Sequence, residues 1–279
     1  MRAHADLHSH SKFSDGKFSP RELIEIANSI DLGGLALTDH DTLDGLEEFM
    51  KCENPKDILR VSGVEIGTLY EDLEIHIIGY FVHKESGKLQ SELERIRKAR
   101  VIRFPKMVAK LDEMGIHISN ESIDKILQGV ESPARPHLAR LLVQHGFVKD
   151  MTEAFGKYLG KGKPAYVKRE RLDTIEAVEL IKSSGAVPVM AHPLIINDSR
   201  VKSILEMLRE HGLEGVETEY DYTHLGLDVK TERIRHYANE MNLVCTGGSD
   251  FHGDDERIQL GCVTVPIEVI NELQMRRIT

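Results

Sequence analysis

The sequence predicts an α/β fold whose strands form a parallel sheet, open or closed into a barrel, with an all-helical segment inserted at one loop. Three observations carry this reading. Strand, loop and helix patterns alternate up to about residue 86; from there to about 160 only helical patterns occur; the alternation then resumes to a last strand near residue 250. Repeated strand–loop–helix units imply crossover connections, and crossovers join parallel strands.

The elements follow in order. The stretch DLHSHSKFSDG, residues 6–16, is read as the end of a first strand and its loop. Pro20–Ala27 reads as a helix, with Ser19 as N-cap, Pro20 at the first helical position and Glu22 at the capping-box position. Gly33-Gly34 ends it, and Leu35-Ala36-Leu37 is a short buried strand running into the loop TDHDT. A second helix is expected near 43–51, followed by the strand ILRVSGVEIGT and the β-branched strand LEIHIIGYFV at 73–82. Helices are then expected at 88–114, 120–129, 135–146 and 150–159, with Pro105 kinking or splitting the first and His145-Gly146 stopping the third. Beyond them come a helix at 173–184, the strand AVPVMAHP, a helix at 199–211, the strand LEGVETEY, a helix at 228–241 and the final strand and loop LVCTGGSDFHG. The expected division is therefore a barrel or sheet from residues 1–86 and 166–279, interrupted by a helical insertion at 87–165 that forms a lid over substrate.

Bulk properties exclude several classes. With 279 residues, 41% hydrophobic and 29% charged, the chain suits one large domain or a domain with an insertion. No apolar run approaches the ~18 residues of a membrane span. MRAHADLHSH lacks the apolar core of a secretory leader, so none is expected. Cys52, Cys245 and Cys262 are odd in number and lack metal-type spacing, which suits a reduced, cytoplasmic protein. A net charge of −10 disfavours a broad surface for duplex nucleic acid. A small anionic substrate then needs locally placed cations.

The histidines and acids fall at the predicted carboxyl ends of strands. They are His8, His10 and Asp15; Asp39, His40 and Asp41; Glu65; His76; His192; Glu217 and Glu219; Asp250 and His252. In parallel α/β folds these ends converge on one face. His8 and His10 are two apart and share a side if extended, as do Asp250 and His252. Taken singly, each residue has an ordinary explanation: a turn for Asp15-Gly16, an ion pair for Glu65, hydrogen bonds accepted by Asp39 that orient His40. Together, imidazoles and carboxylates at this density need a cation to organise them, and they suit Zn, Mn or Fe.

These motifs, DLHSHSKFSDG, LTDHDT, GVEI, HIIGY, AHP and GSDFHG, resemble in order those of the PHP (polymerase and histidinol phosphatase) family of metal-dependent phosphoesterases. The block SPARPHLARLLVQHGFVKDMTEAFGKYLGKGKPAYV is similar to the helical insertion of the TrpH-like subgroup, which includes nucleoside 3',5'-bisphosphate phosphatases and a 5'-to-3' exoribonuclease. The resemblance implies a distorted (β/α)7 barrel and a centre of two to three divalent ions. By motif match, His8, His10, Glu65 and Asp250 hold one ion; Glu65, His76 and His192 a second; Asp15, His40 and His252 a third. Some family members carry histidine where this chain has Asp15. The implied nucleophile is a metal-activated hydroxide rather than a side chain.

Substrate selection calls on other residues. Arg135 and His137 in ARPHLAR, Arg100 and Arg103 in ARVIR, and His224 in YDYTHLG are the candidates. Arginine presents a planar fork matched to phosphate oxygens. The expected substrate is a nucleotide with two phosphates, cleaved at its 3'-phosphate, or a short single-stranded RNA carrying a 5'-phosphate. A histidinol-phosphatase-like monoesterase and a non-catalytic nucleotide sensor are the alternatives.

Overall fold

The computed structural model describes residues 3–277 other than 85, 131, 197 and 230. Its strands are β1 (His4–Asp6), β2 (Gly34–Leu37), β3 (Leu59–Tyr70), β4 (Leu73–Tyr80), β5 (Val187–Met190), β6 (Gly215–Glu219), β7 (Val244–Gly247) and β8 (Val265–Pro266). They form one sheet in the order β7-β6-β5-β4-β3-β2-β1-β8. The Leu7 amide donates to the Gly247 carbonyl at 3.2 Å and Ser9 bridges Phe251, so the β7 end meets the β1 end and the sheet nearly closes. This is the distorted barrel the motifs imply.

The sheet is mixed, whereas the alternation alone predicts parallel pairing. β1–β2, β2–β3, β5–β6 and β6–β7 are parallel, but β4 runs antiparallel to both β3 and β5. The reason is the β3–β4 connection: only Glu71 and Asp72 separate the strands, with Glu71 at φ 51°. Two residues make a hairpin and are far too few for a crossover. β8, paired antiparallel to β1, and the helix after it are elements the sequence reading missed.

Period-two alternation sorts each strand between two cores. Ala5, Leu7, Ala36, Val61, Ile78, Tyr80, Val187, Val189 and Val244 fill the barrel interior, closed at one end by Val269, Ile270 and Leu273 of the last helix, α10 (Glu268–Met275). Leu35, Leu37, Val64, Ile66, Ile75, Ile77 and Met190 face outward and pack against the surrounding helices. These are α1 (Pro20–Ser29), α2 (Leu46–Lys51), α7 (Thr174–Ser183), α8 (Asp198–Glu210) and α9 (Glu232–Glu240). The capping box forms as predicted: Ser19 Oγ accepts from the Glu22 amide at 3.2 Å, and Glu22 Oε2 accepts from the Ser19 amide at 2.7 Å.

Between β4 and α7 the described elements are helices: α3 (Gly87–Glu113), α4 (Asn120–Gly129), α5 (Arg135–Gln144), α6 (Met151–Ala154) and a π-turn at Phe155–Leu159. Phe104, Met107, Leu111, Leu138, Leu142 and Leu159 give this stretch an apolar cluster of its own. Of the kink or split expected at Pro105, the split does not occur: α3 continues through the proline. The helix is anchored on both sides, by Leu89, Leu93 and Ile96 in the outer barrel core and by Phe104, Met107 and Leu111 in the helical cluster. Packing at both ends offsets the roughly 3 kcal/mol an internal proline costs. Among the described residues no helix is long and apolar enough to cross a membrane.

Candidate metal centre

The rows that line the barrel continue upward into a polar cluster. Val61 and Glu65 lie on the same face of β3, and Ile78, Tyr80 and His76 on the same face of β4. Antiparallel register sets Glu65 opposite Ile78 and Gly67 opposite His76. The ends of β1, β2, β5 and β7 add His8, His10, His40, His192, Asp250 and His252. Three of these turns use left-handed backbone at non-glycine residues: Asp41 (φ 55°), His192 (φ 28°) and Asp250 (φ 53°). Such conformations cost energy and persist where a site requires them.

Eight of the nine residues expected to hold metal fall into three overlapping groups whose donor atoms lie within 4.8 Å of one another: His8, His10, Glu65 and Asp250; His10, Asp15, His40 and His252; and His40, Glu65 and His76. The ninth, His192, has Nε2 3.0 Å from Glu65 Oε1. Glu65 is the hub, with Oε1 also 2.8 Å from His76 Nδ1, and Oε2 3.0 Å from His40 Nδ1, 3.3 Å from His10 Nε2 and 3.4 Å from His8 Nε2. Asp250 Oδ1 is 3.1 Å from His10 Nε2, and Asp15 Oδ1 is 3.2 Å from His252 Nε2. The first group coincides with the expected set; in the others His40 and His10 connect sets that the motif match kept apart.

The donors fit divalent cations. His8 Nε2, both His10 ring nitrogens, Asp15 Oδ1, His40 Nδ1, Glu65 Oε2 and Asp250 Oδ1 are buried without a hydrogen-bond partner, all turned toward one another. Buried polar atoms left so are costly unless an ion satisfies them. Protonation alone serves the group poorly. Burial acts on His40 first and, despite the Glu65 and Asp15 charges, holds it down at about 3. Burial also lowers His10, yet its contacts with Asp250 and Glu65 outweigh this and push it up to about 10. His76 goes up to about 9 for the same reason beside Glu65 and Glu74. Burial raises Asp15, Glu65 and Asp250, but neighbouring imidazoles pull all three well below the ordinary carboxylate range.

A surrounding layer fixes these side chains. Glu217, carried inward by β6, accepts from His8 Nδ1 at 3.0 Å and from the His192 amide at 2.8 Å. Tyr220 donates to Asp250 Oδ2 at 3.0 Å. Asp6 takes the Ser249 amide, Ser249 hydroxyl, Gly261 amide and His8 amide, clamping β1 to the loop after β7. Asp39 does not orient His40, as the sequence suggested: it accepts from the Ser11 amide and hydroxyl and the Ser14 hydroxyl, and so shapes the loop between His10 and Asp15. Gly248 permits the closest approach, since a Cβ there meets the His8 amide nitrogen at 2.3 Å.

The candidate substrate residues separate into two clefts beside this centre. Arg100, Arg103 and Arg135 line one with Asp15, His40 and His76. Arg100 Nε donates to Asp41 Oδ2 at 2.7 Å, and Arg169 Nη1, which the sequence reading did not single out, donates to the same oxygen at 3.0 Å. Arg171 pairs with Glu74 at 2.5 Å and Arg135 with the same carboxylate at 3.6 Å. Arg103 is buried, contacts the Tyr166 ring, and leaves Nε and Nη2 unpartnered. Burial, then the nearby arginines, lower it to about 9, and burial with Arg100 lowers Arg169 to about 10. His137 is instead committed locally: its Nδ1 accepts from the Ala134 amide at 3.1 Å at the start of α5. His224 lines the second cleft, with Asp250 and His252, and its Nε2 lies 3.5 Å from the Tyr220 hydroxyl. Tyr220, Arg169 and Arg171 are residues that spacing could not reveal; Glu217 stands among the strand-end acids of the sequence, but its place behind His8 is not encoded there.

Fold and site together define a phosphoesterase-type barrel with a His/Asp/Glu centre. The PHP domain matches residues 6–211, and the chain belongs to that family. It is 35% identical to a 5'-3' exoribonuclease of Haemophilus influenzae over 92% of each chain. It is 32% identical to a 3',5'-nucleoside bisphosphate phosphatase of Chromobacterium violaceum, over 91% of this chain and 89% of the other. A solved structure described as a putative metal-dependent phosphoesterase from Bifidobacterium adolescentis superposes with a TM-score of 0.88 at 26% identity, covering 99% of this chain and 96% of that one.

Proposed function

We propose that this chain is a metal-dependent phosphoesterase acting on nucleotides that carry two phosphates: it removes the 3'-phosphate of nucleoside 3',5'-bisphosphates, and cleaves short single-stranded RNA bearing a 5'-phosphate. The observation that carries this reading is adjacency. A nine-member His/Asp/Glu cluster opens directly onto buried arginines, one of which, Arg103, has no carboxylate partner among the described residues. The names of the two relatives support the same pair of substrates.

His8, His10, Glu65 and Asp250 would hold one ion and Asp15, His40 and His252 another, with His76 and His192 as further donors beside Glu65; two to three ions of Mn, Fe or Zn would match this donor set. Bound divalent ions supply Lewis acidity, acidifying water and neutralising phosphate charge. The chain's own residues do the rest. Glu217 keeps the His8 ring turned with Nε2 inward. Asp41, holding Arg100 and Arg169 on one oxygen, fixes two guanidinium groups at the cleft wall. Arg103, and Arg135 with only a long contact to Glu74, offer open donors to the phosphate that is not cleaved. That second anchor orients the ribose so that the other phosphate meets the centre, which is how remote binding energy serves the reacting group. Attack by water oxygen on phosphorus breaks the ester P–O bond and leaves a free hydroxyl on the ribose. Residues 87–165 act as the lid, since α3, α5 and the π-turn supply Arg100, Arg103, Arg135 and Phe155 to the cleft.

Phosphate release from 3'-phosphoadenosine 5'-phosphate is compared with release from histidinol phosphate in the presence of manganese, with cleavage of 5'-phosphorylated RNA tetramers in parallel. Preference for the bisphosphate supports the reading. A tenfold or greater preference for histidinol phosphate, which has no second phosphate, overturns it.

A further inference from the structure

The arginine cleft is one of two that open onto the centre. The second lies on the Asp250–His252 side, and Pro136 and Phe155 stand between them, lining both. Its walls come from two sources: Met151 and Phe155 belong to the helical cluster, while Ile258 packs on the barrel core. The two apolar surfaces thus face one another across open space instead of closing. Phe155 begins the π-turn, a distortion often kept where a side chain must be aimed. On the other side its ring meets the Arg135 guanidinium, 5.6 Å from the centroid.

The two clefts differ in the cations that line them: the first has Arg100, Arg103, Arg135 and Arg169. The second holds Asp250, Asp254 and Asp255 and contains no arginine or lysine among its lining residues. Asp254 is engaged by Arg140 and Lys17, and Asp255 by Arg257, from outside the slot. A phosphate group is disfavoured there and favoured at the arginines. What suits an apolar slot whose lining carries no arginine or lysine is the uncharged, flat part of the same molecule. One polar handle is present: His224 Nδ1 is buried without a partner.

We infer that the slot between Phe155, Met151 and Ile258, with His224 at its edge, binds the nucleobase attached to the ribose that carries both phosphates. This rests on the function proposed above and adds that the base, and not only the two phosphates, is recognised. A ribose with one phosphate at the centre and one at the arginines then places its base on the opposite side, stacked on the Phe155 ring.

The test compares a nucleoside 3',5'-bisphosphate with a base-free 1-deoxyribose 3,5-bisphosphate, both with manganese, for the parent chain and for Phe155→Ala, Phe155→Tyr and Ile258→Ala. The parent is expected to prefer the nucleoside by about tenfold or more in kcat/KM, the size of one aromatic stacking contact. Phe155→Ala and Ile258→Ala lower that ratio several-fold, chiefly through KM of the nucleoside, and Phe155→Tyr restores it. Equal handling of both substrates by the parent, or equal losses on both in the variants, overturns the base slot while leaving the proposed function standing. Absence of hydrolysis of either substrate by the parent overturns both.

Discussion

Glu217 and His8, 209 residues apart in the chain, are joined by a 3.0 Å hydrogen bond with neither side chain exposed to solvent. With Nδ1 thus occupied, the imidazole presents Nε2 to Glu65 and Asp250, at 3.4 and 3.3 Å. A carboxylate behind a histidine ligand fixes its tautomer and raises its basicity. Glu217→Gln is therefore expected to weaken metal binding by about 10- to 100-fold with little change in fold, read by metal content after dialysis at graded chelator concentrations. Unaltered retention of metal would show that His8 needs no such support.

Asp250 contributes the oxygen nearest to His10 Nε2, at 3.1 Å. Its replacement by alanine is expected to remove metal and lower activity together, by roughly 100-fold or more. A variant that keeps full metal content and full turnover would exclude Asp250 from the centre.

Arg103 is a buried guanidinium with unpartnered nitrogens, surrounded by other arginines. Such a group destabilises the protein that carries it. Arg103→Met is expected to raise stability by about 1 kcal/mol, seen as a higher thermal midpoint. The same change should raise KM for the bisphosphate by about tenfold, the loss of one charge-assisted hydrogen bond. A variant that loses stability and keeps its KM contradicts a phosphate-binding role. Arg135→Ala should behave similarly on bisphosphate substrates while leaving metal content intact.

The centre should exchange protons for metal. With no ion bound, contacts with carboxylates hold His10 up at about 10 and His76 at about 9 against the opposing effect of burial. Both are above the unfolded value of about 6.5. Their contribution to the stability of the metal-free protein is therefore fully present below pH 6.5 and lost as pH rises through about 9 to about 10. Metal uptake needs neutral imidazole, so loading near pH 7.5 releases protons. Titration calorimetry in buffers of different ionisation enthalpy reads this release directly; loading without it would place the metal elsewhere.

Much of the centre was legible in the chain. Histidines and carboxylates recur at strand ends, and in this architecture strand ends meet, so His8, Glu65, His192 and Asp250 are brought together as their positions imply. The Ser19–Glu22 box and the strand carrying Glu65 are equally local, because caps and period-two faces depend on nearby residues. The antiparallel β4 is legible too, because the two-residue link at Glu71-Asp72 is far shorter than the crossover a parallel strand requires.

Other relationships lie outside what spacing encodes. Asp39 holds Ser11 and Ser14 instead of His40, and His137 uses its Nδ1 to cap α5. Arg169 joins Arg100 on Asp41 across 128 residues, and Glu217 reaches His8 across 209. The sequence by itself determined which residue types stand at the mouth of the barrel, because strand periodicity and strand ends are local properties. Only the tertiary structure decided which of them bind, which orient and which pair with one another, because a short-range hydrogen bond or ion pair is chosen by distances of 3 Å between segments that the chain brings together only on folding.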